Sequence, residues 1–425
     1  MHFETLPNGL KILLAPSNAE SAFIAIGITH GLRSEPPELS GISHLLEHLF
    51  FESSGKFKSR LAKDRYVDQM GGELNGFTSH DLICAHLSFD PSKTNQALNL
   101  IFDSVIRPRF NRAIIEKEKR VLQIEEAGAF DDNDHVLDAV IRQSMFPGTG
   151  LEHAFEATDG IRLWHLKRYH KKVIRPNRII VVATGNIDKE KIRQRIINEF
   201  DSINPGYEKA NTPFVLTQKK SRTTFIPAHE KSFHCILSFP TFGYDDPRRY
   251  AMTVLNNIIG GRNSSLLYGR LRRMGLVYDS MSHIWHWPDT GYFQVCASCR
   301  NNKSQRDRNR LFEIIEQIIS ILRKTKQELI SKEELILAKD NLTAKTNQLF
   351  DDLEYEAKFY LGQITQIGKP ISQKEFLRDL NQVNRVSLRT LAQQFFVREH
   401  LNLAVLGDSL STKDKKNIIS LYSNL

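Results

Sequence analysis

The chain has 425 residues, of which 40% are apolar, and its formal net charge is +9 at pH 7. A chain of this length and apolar content can build two to three globular domains, each with its own core. The basic residues are spread over many short clusters instead of one stripe, so nucleic-acid binding is not predicted. No stretch approaches the roughly 18 apolar residues of a membrane helix, which excludes a helical membrane protein.

The first 14 residues, MHFETLPNGLKILL, lack the basic and apolar regions of a secretory signal. We therefore expect a cytoplasmic protein, or one that reaches its compartment after processing. The four cysteines are too few for a disulfide framework in a chain of this size. Cys296 and Cys299 have C-x-x-C spacing, but YFQVCASCR has the composition of a strand, in which residues three apart diverge. Structural cysteines are therefore predicted.

The first half of the chain mixes strands and helices. In chain order the pattern predicts strands in LPNGLKILLAP and SAFIAIGITHG, a helical segment, a strand in DLICAHLSF, helices in SKTNQALNLIFDSVI and over about 112–129, a strand in RPNRIIVVATGNID and a helix in KEKIRQRIINEF.

The same order recurs from residue 222. It predicts strands in TTFIPAH and SFHCILSFPTFG, a helix over about 248–259, a strand in GYFQVCASC, helices in RNRLFEIIEQIISILRKTKQ and SKEELILAKDNLTAKTNQLF, and a closing strand in LNLAVLGDSLS. Two copies of one α+β unit explain the length. We therefore predict a first domain over 1–205, a linker over 206–221 that is rich in Pro, Gly, Asn and Lys, and a second domain over 222–425.

The segment GISHLLEHLFFE is predicted to form a helix, with Ser40 or Ser43 as its cap. His44 and His48 lie one turn apart on one face, so both imidazoles can reach a single ion at about 2.0 to 2.1 Å. Glu47 lies one position to the side of that face. It can therefore lean over a metal ion without binding it.

A catalytic zinc of the peptidase type needs a third protein ligand, commonly a carboxylate, and keeps a fourth position for water. Candidates occur in IIEKEKRVLQIEEAGAF. Glu118 and Glu125 are seven residues apart, almost two helical turns, and share a face, whereas Glu116 and Glu126 point elsewhere. The second copy has MTVLNNIIGG in place of the histidine segment, without histidine or acid, so one site per chain is predicted.

H-x-x-E-H is the inverzincin signature, and the chain resembles the pitrilysin-like M16 metallopeptidases. That family carries this motif, then about 76 residues, then a glutamate ligand, and Glu125 lies 77 positions after His48. The resemblance implies one Zn²⁺ per chain, bound by His44, His48 and Glu125. It also implies that Glu47 activates the attacking water and that Glu118 supports the site as a further catalytic residue.

The resemblance extends to the substrate-binding strand. GGELNGFTSHDLICAHLSF is similar to the family's strand G-G-x-x-N-A-x-T-S, with Gly76 where alanine is usual. This implies substrate contacts by Asn75, Gly76, Phe77 and Thr78.

A third similar segment lies in the second half. SSLLYGRLRRMGLVYDS resembles the family segment that holds a substrate-binding arginine and tyrosine. It implies Arg272 and Tyr278, with Arg270 and Arg273 as alternatives for the arginine.

The fold that the resemblance implies is α+β, with two homologous α/β-sandwich domains. Each has a mostly antiparallel sheet with helices on one face, and together they form half of a clamshell. A chamber then needs a second M16-like subunit. A homodimer is favoured because the zinc motif and the Arg/Tyr segment lie on one chain, and a heterodimer with a metal-free partner remains possible. The implied substrates are peptides and small unfolded proteins.

Two other function classes remain open. The family also contains non-catalytic scaffold or partner subunits, although the intact set of His44, Glu47, His48 and Glu125 argues against that role here. The net charge of +9 prompts a binder of nucleic acid or of acidic partners. Steep salt dependence of binding to generic DNA would favour this second class.

Overall fold

The structure is a computed structural model that describes residues 1–152, 157–206, 214–277, 279–408, 410–423 and 425. Tyr278, one of the predicted substrate contacts, lies outside the described residues. Among the residues that are described, no helix combines the length and the apolar character needed to cross a membrane.

The predicted strands and helices occur in the predicted order, and the structure adds others that were not predicted, among them the strands His2–Thr5 and Ser280–His286 and the helices Asn133–Met145 and Leu353–Ile367. The strands are β1 (His2–Thr5), β2 (Lys11–Pro16), β3 (Ala22–Ile28), β4 (Glu73–Thr78), β5 (Ile83–Phe89), β6 (Ile179–Gly185), β7 (Arg222–Ile226), β8 (Ser232–Thr241), β9 (Ser280–His286), β10 (Gly291–Arg300) and β11 (Asn402–Leu406). The helices are α1 (Ile42–Phe51), α2 (Arg60–Asp68), α3 (Thr94–Ile106), α4 (Arg112–Phe130), α5 (Asn133–Met145), α6 (Leu163–Val173), α7 (Lys189–Phe200), α8 (Arg249–Ile259), α9 (Leu266–Arg273), α10 (Gln305–Gln327), α11 (Lys332–Leu349), α12 (Leu353–Ile367), α13 (Gln373–Gln382), α14 (Arg385–Phe395) and α15 (Thr412–Leu421).

The chain forms two compact units, and neither is continuous in sequence. The first unit comprises Met1–Gly128, Thr149–Asn211 and Asn347–Ile371, and the second comprises Ala129–Gly148, Thr212–Thr346 and Ser372–Leu425. Each unit therefore includes a segment from the other half of the sequence. The domain boundaries drawn from the repeat, 1–205 and 222–425, stay a prediction.

A six-stranded sheet in the order β1-β2-β6-β3-β5-β4 organises the first unit. The β2–β6 pair is parallel and the other pairs are antiparallel, as predicted for a mostly antiparallel sheet. Every residue of β3 is buried, because both faces of the sheet are covered. On one face Ile24 and Ile26 pack in a core with Leu45 and Leu49 of α1. Strand β4 lies at the edge of the sheet.

The prediction that helices lie on one face of each sheet is wrong for this sheet, because its second face is covered by α12, a helix that was not predicted. Phe23 of β3 packs there in a separate apolar cluster with Leu361 of α12. A Cβ atom on Gly27 would lie 2.5 Å from Leu361 Cδ1, so a larger residue there would force the Leu361 side chain to move. The Thr184 hydroxyl donates to the Leu353 carbonyl oxygen at 2.9 Å. Both bond and packing attach α12 to the first sheet.

The second unit contains a five-stranded sheet in the order β7-β11-β8-β10-β9, with a parallel β7–β11 pair. Its main core lies between this sheet and helices that include α8, α10 and α14. Helix α5, from early in the sequence, packs against β8 and β11. The Tyr292 hydroxyl on β10 donates to Asp138 Oδ1 on α5 at 2.5 Å, which fastens α5 to the sheet.

The four cysteines are structural, as predicted. All are buried and none forms a disulfide. Cys296 and Cys299 lie on β10, and only Cys299 joins the main core of the second unit, because side chains three apart on a strand face opposite ways. Burial raises the pKa of all four thiols, which keeps them protonated and unreactive.

Candidate metal centre

The H-x-x-E-H segment forms helix α1, as its spacing predicted. Leu45 and Leu49 bury one side of this helix against the sheet. His44 and His48 lie together on another side. The centroids of their imidazole rings are 4.8 Å apart, and the ring planes make an angle of 84°.

Helix α4 brings Glu125 to the two histidines. Its Oε2 atom is 3.6 Å from His44 Nε2 and also 3.6 Å from His48 Nε2. Two atoms that bind one tetrahedral zinc at about 2.0 to 2.1 Å lie about 3.3 to 3.4 Å from each other. The separations between Glu125 Oε2 and the two histidine nitrogens are therefore close to those that a shared zinc ion requires.

Glu47 is the other carboxylate near the histidines. His44, Glu47 and His48 each place one ligand atom within 4.8 Å of the others. Glu47 Oε2 is 3.9 Å from His44 Nε2, farther than Glu125, and it accepts a hydrogen bond from Thr78 Oγ1 at 3.2 Å. Burial raises the pKa of Glu47, and the nearby histidines oppose that rise. A buried carboxyl with a raised pKa is suited to proton transfer.

Glu118 lies behind His48 and is almost completely buried. It accepts a hydrogen bond from His48 Nδ1 on Oε2 at 3.0 Å, and Lys117 Nζ is 2.9 Å from its Oε1. Burial raises the pKa of Glu118, but His48 and Lys117 together outweigh burial and bring the pKa down to about 2. Lys117, which the sequence analysis missed, also contacts Glu52 Oε1 at 2.9 Å. The Glu118 carboxylate is therefore ionised and held in place by His48 and Lys117.

The predicted substrate strand is β4, whose side chains alternate between the two faces of the sheet. Thr78 and Gly76 lie on the side of Glu47, since Thr78 bonds Glu47 and a Cβ atom on Gly76 would lie 2.8 Å from Glu47 Oε1. Phe77 points into the cluster under α12 on the opposite face. Asn75 is exposed, and its Oδ1 accepts from the Gly76 backbone N–H at 2.8 Å. Two of the four predicted residues, Gly76 and Thr78, thus lie beside Glu47.

The predicted substrate arginine, Arg272, lies on α9 in the second unit. Its side chain is exposed, and its guanidinium carbon is 5.5 Å from the ring centroid of Tyr268. Arg270 and Arg273 lie on the same helix. The substrate roles of Arg272 and Tyr278 stay predictions.

The start of α1 differs from the sequence expectation. The N-cap residue is Gly41, with φ of 86°, in place of Ser40 or Ser43. Glu35 instead accepts hydrogen bonds from the N–H groups of Gly41 and Ser43, each at 2.7 Å. The sequence feature that could have indicated this cap is Glu35, the first of the two acids in RSEPPELSGIS. It lies too far upstream for local capping rules, which concern the N-cap residue and its neighbours within the first turn.

Two family models match the chain. Residues 11–159 match the insulinase, or peptidase family M16, model, and residues 161–342 match the peptidase M16 inactive domain model. The chain belongs to the M16 peptidase family. This finding confirms the resemblance drawn from the H-x-x-E-H motif and the distant glutamate.

Relatives of this M16 chain align over most of its length. A Bacillus subtilis protein named an uncharacterized zinc protease is 27% identical over 419 residues, which cover 95% of this chain and 98% of that one. A Mycobacterium tuberculosis protein, also named an uncharacterized zinc protease, is 26% identical, and the alignment covers 95% of this chain and 92% of that one. A Rickettsia felis protein, also named an uncharacterized zinc protease, is 24% identical, with coverages of 92% and 94%.

Two solved structures share the fold of this M16 chain. The crystal structure of a protease from Helicobacter pylori has a TM-score of 0.87 at 20% identity, covering 96% of this chain and 99% of that one. The crystal structure of a peptidase M16 inactive domain from Pseudomonas fluorescens has a TM-score of 0.84 at 16% identity, with coverages of 96% and 98%. The predicted α+β fold class is confirmed.

Proposed function

We propose that this M16 protein is a zinc-dependent endopeptidase that hydrolyses peptides or small unfolded proteins. The observation that carries the proposal is the placement of Glu125 Oε2 at 3.6 Å from Nε2 of both His44 and His48, with Glu47 beside them. Two imidazoles and one carboxylate are the protein ligands of several zinc peptidases. The relatives named zinc proteases support the same chemistry.

One zinc ion per chain would be held by His44, His48 and Glu125. These nitrogen and oxygen donors suit zinc, and the distance from Glu125 Oε2 to each histidine nitrogen is close to that between two ligands of one tetrahedral ion. When bound, zinc would act as a Lewis acid toward the peptide carbonyl and the attacking water. Helix α8, RYAMTVLNNII, carries neither histidine nor acid, which supports a single site.

Glu47 is the proposed general base. Its carboxylate takes a proton from the attacking water and then returns it to the leaving amine. The hydrogen bond from Thr78 holds the carboxylate in place before substrate arrives. Glu118 acts through His48, because its bond to Nδ1 directs the Nε2 atom of His48 toward Glu125.

Strand β4 is the proposed binding strand for substrate. It lies at the edge of its sheet, and an extended peptide can pair with such an edge through main-chain hydrogen bonds that do not read sequence. Because Gly76 and Thr78 approach Glu47, a peptide added there would pass close to the base. Pairing with Gly76 N–H would require the Asn75 side chain to release that donor. Phe77, on the opposite face, would anchor β4 to the apolar cluster beside α12.

A second M16-like subunit is the proposed partner that completes a chamber. We favour a homodimer because the zinc motif and the Arg272 and Tyr278 segment occur on one chain. In the alternative heterodimer a metal-free partner supplies the other half. Mass spectrometry of the chain that co-purifies with the protein distinguishes the two. The cytoplasmic location likewise stays a prediction.

Cleavage of internally quenched peptides tests the proposed activity. We expect cleavage by the purified protein, loss of cleavage with a chelator, and recovery on adding zinc. Glu47→Gln should lower turnover by about 10²- to 10⁴-fold and still bind zinc. Glu190→Gln, at an exposed position on α7, is the matched control and should cleave normally. A wild-type protein that binds zinc and cleaves nothing would instead favour a non-catalytic subunit.

A further inference from the structure

His44, one of the two histidines of the proposed zinc site, lies in the first turn of α1. The N–H groups of a first turn have no partners within the helix, and helix ends fray. An N-cap side chain usually accepts from these groups, but the N-cap here is Gly41, which has none. A ligand this early in a helix needs another source of order.

Glu35 supplies that order from outside the helix. Its Oε2 accepts from Gly41 N–H and its Oε1 from Ser43 N–H, each at 2.7 Å. The residue is only 7% exposed, so water competes little for these charge-assisted bonds. The positive end of the helix dipole also favours a carboxylate at this position. The two bonds clamp the backbone immediately before His44.

Ser43 is held a second time, through its side chain. Ser43 Oγ and the Tyr169 hydroxyl are 2.6 Å apart, and both residues are buried. Tyr169 lies on α6, which packs against α1. The residue before His44 is thus fixed through its backbone by Glu35 and through its side chain by Tyr169.

We propose that Glu35 is a positioning residue for the metal site, an inference that rests on the proposed zinc function. Glu35 fixes the first turn of α1 and thereby holds His44 Nε2 opposite Glu125. Glu118 does the corresponding work for His48, one turn further along. A buried glutamate outside the proposed ligand set therefore positions each histidine. Glu118 bonds His48 directly, and Glu35 holds the backbone that precedes His44.

Zinc affinity, measured on the full chain by competition with a chromophoric chelator, tests this role without an activity assay. Glu35→Gln keeps the shape of the side chain but only one acceptor oxygen. We expect it to bind zinc about 10- to 100-fold more weakly and to change the visible spectrum of the Co²⁺-substituted protein. Asp188→Ala is the matched control, since Asp188 caps α7 in the same unit by accepting from Lys191 N–H at 3.0 Å. It should keep wild-type zinc affinity.

Tyr169→Phe removes a single hydroxyl and gives a milder test if Glu35→Gln does not fold. We expect it to lower zinc affinity about threefold or more, as the loss of one hydrogen bond would. Wild-type zinc affinity and an unchanged Co²⁺ spectrum in the folded variants would overturn the positioning role and leave the proposed endopeptidase intact. A wild-type protein that binds no zinc would overturn both, so the two failures are distinguishable.

Discussion

His48 Nδ1 donates a hydrogen bond to Glu118 Oε2 at 3.0 Å, and Glu118 is 1% exposed. A neutral imidazole carries one N–H, so this bond commits Nδ1 to the carboxylate and leaves Nε2 as the electron-pair donor. That Nε2 atom is the one that lies 3.6 Å from Glu125 Oε2. A residue outside the proposed ligand set therefore decides which atom of His48 can bind a metal.

Glu118→Gln should weaken zinc binding about 10- to 100-fold. The neutral amide is a weaker acceptor for His48 Nδ1, and it no longer pairs with the charge of Lys117. Titration against a competing chelator measures the change. Glu116→Gln is the control, because Glu116 lies on the same helix with its side chain 47% exposed. Equal zinc affinity in wild type and both variants would contradict the proposed role of Glu118.

Glu125→Gln should reduce zinc affinity more than Glu118→Gln does, because it removes a proposed ligand. The Glu125 side chain is 50% exposed, so the free energy of unfolding of the metal-free protein should change by less than about 0.5 kcal/mol. Zinc titration and urea unfolding together measure the two effects. Glu126→Gln, one residue along, should change neither quantity. If zinc binding survived in Glu125→Gln, Glu47 would be the better candidate for the third ligand.

Lys63 should make the stability of the protein rise with pH. Burial lowers the pKa of Lys63 to about 7, and its Nζ donates to the Phe50 carbonyl oxygen at 2.6 Å. In the unfolded chain the pKa is about 10.4. Between pH 7 and that value the unfolded state binds more protons than the folded state, so the free energy of unfolding rises with pH. Below pH 7 the lysine is charged in both states, and the full cost of its burial remains.

Lys63→Met removes this contribution. The free energy of unfolding of the variant minus that of wild type should therefore be larger at pH 6 than at pH 9, by about 3 kcal/mol. Urea unfolding at the two pH values measures it. Lys58→Met, at a nearby exposed position, provides the comparison and should leave the pH dependence of wild type unchanged. A pH-independent effect of Lys63→Met would show that the buried amine does not titrate in this range.

Leu361→Ala should lower the free energy of unfolding by about 2 to 5 kcal/mol, because Leu361 is fully buried between α12 and the first sheet. Chemical unfolding measures the loss. Leu337→Ala on α11, at a side chain that is 45% exposed, should change stability by no more than about 0.5 kcal/mol. Equal effects of the two substitutions would mean that α12 adds little to the first unit.

Helical geometry made much of the candidate metal centre predictable. His44 and His48 are four residues apart, and Glu118 and Glu125 are seven apart, so the period of the helix alone places each pair on one face. The meeting of the two helices is a tertiary contact that no local pattern encodes. The resemblance to M16 peptidases supplied that step.

Features that depend on long-range packing were not predictable from local patterns. The local sequence of α12 does not show which of the two sheets the helix packs against. Its position on the first sheet follows from tertiary packing. Glu35 caps a helix that begins several residues later, across a turn whose shape the local rules do not give. By contrast, strand alternation was available in advance, and it separates Gly76 and Thr78 from Phe77 on the opposite face.

Anomalous diffraction at the zinc absorption edge, from crystals of the wild-type protein grown with zinc, tests the central claim most directly. The account predicts one zinc peak per chain, about 2.0 to 2.2 Å from His44 Nε2, His48 Nε2 and a carboxylate oxygen of Glu125, with Glu47 unbound. A peak coordinated by Glu47 in place of Glu125, or no peak at the two histidines, would contradict it.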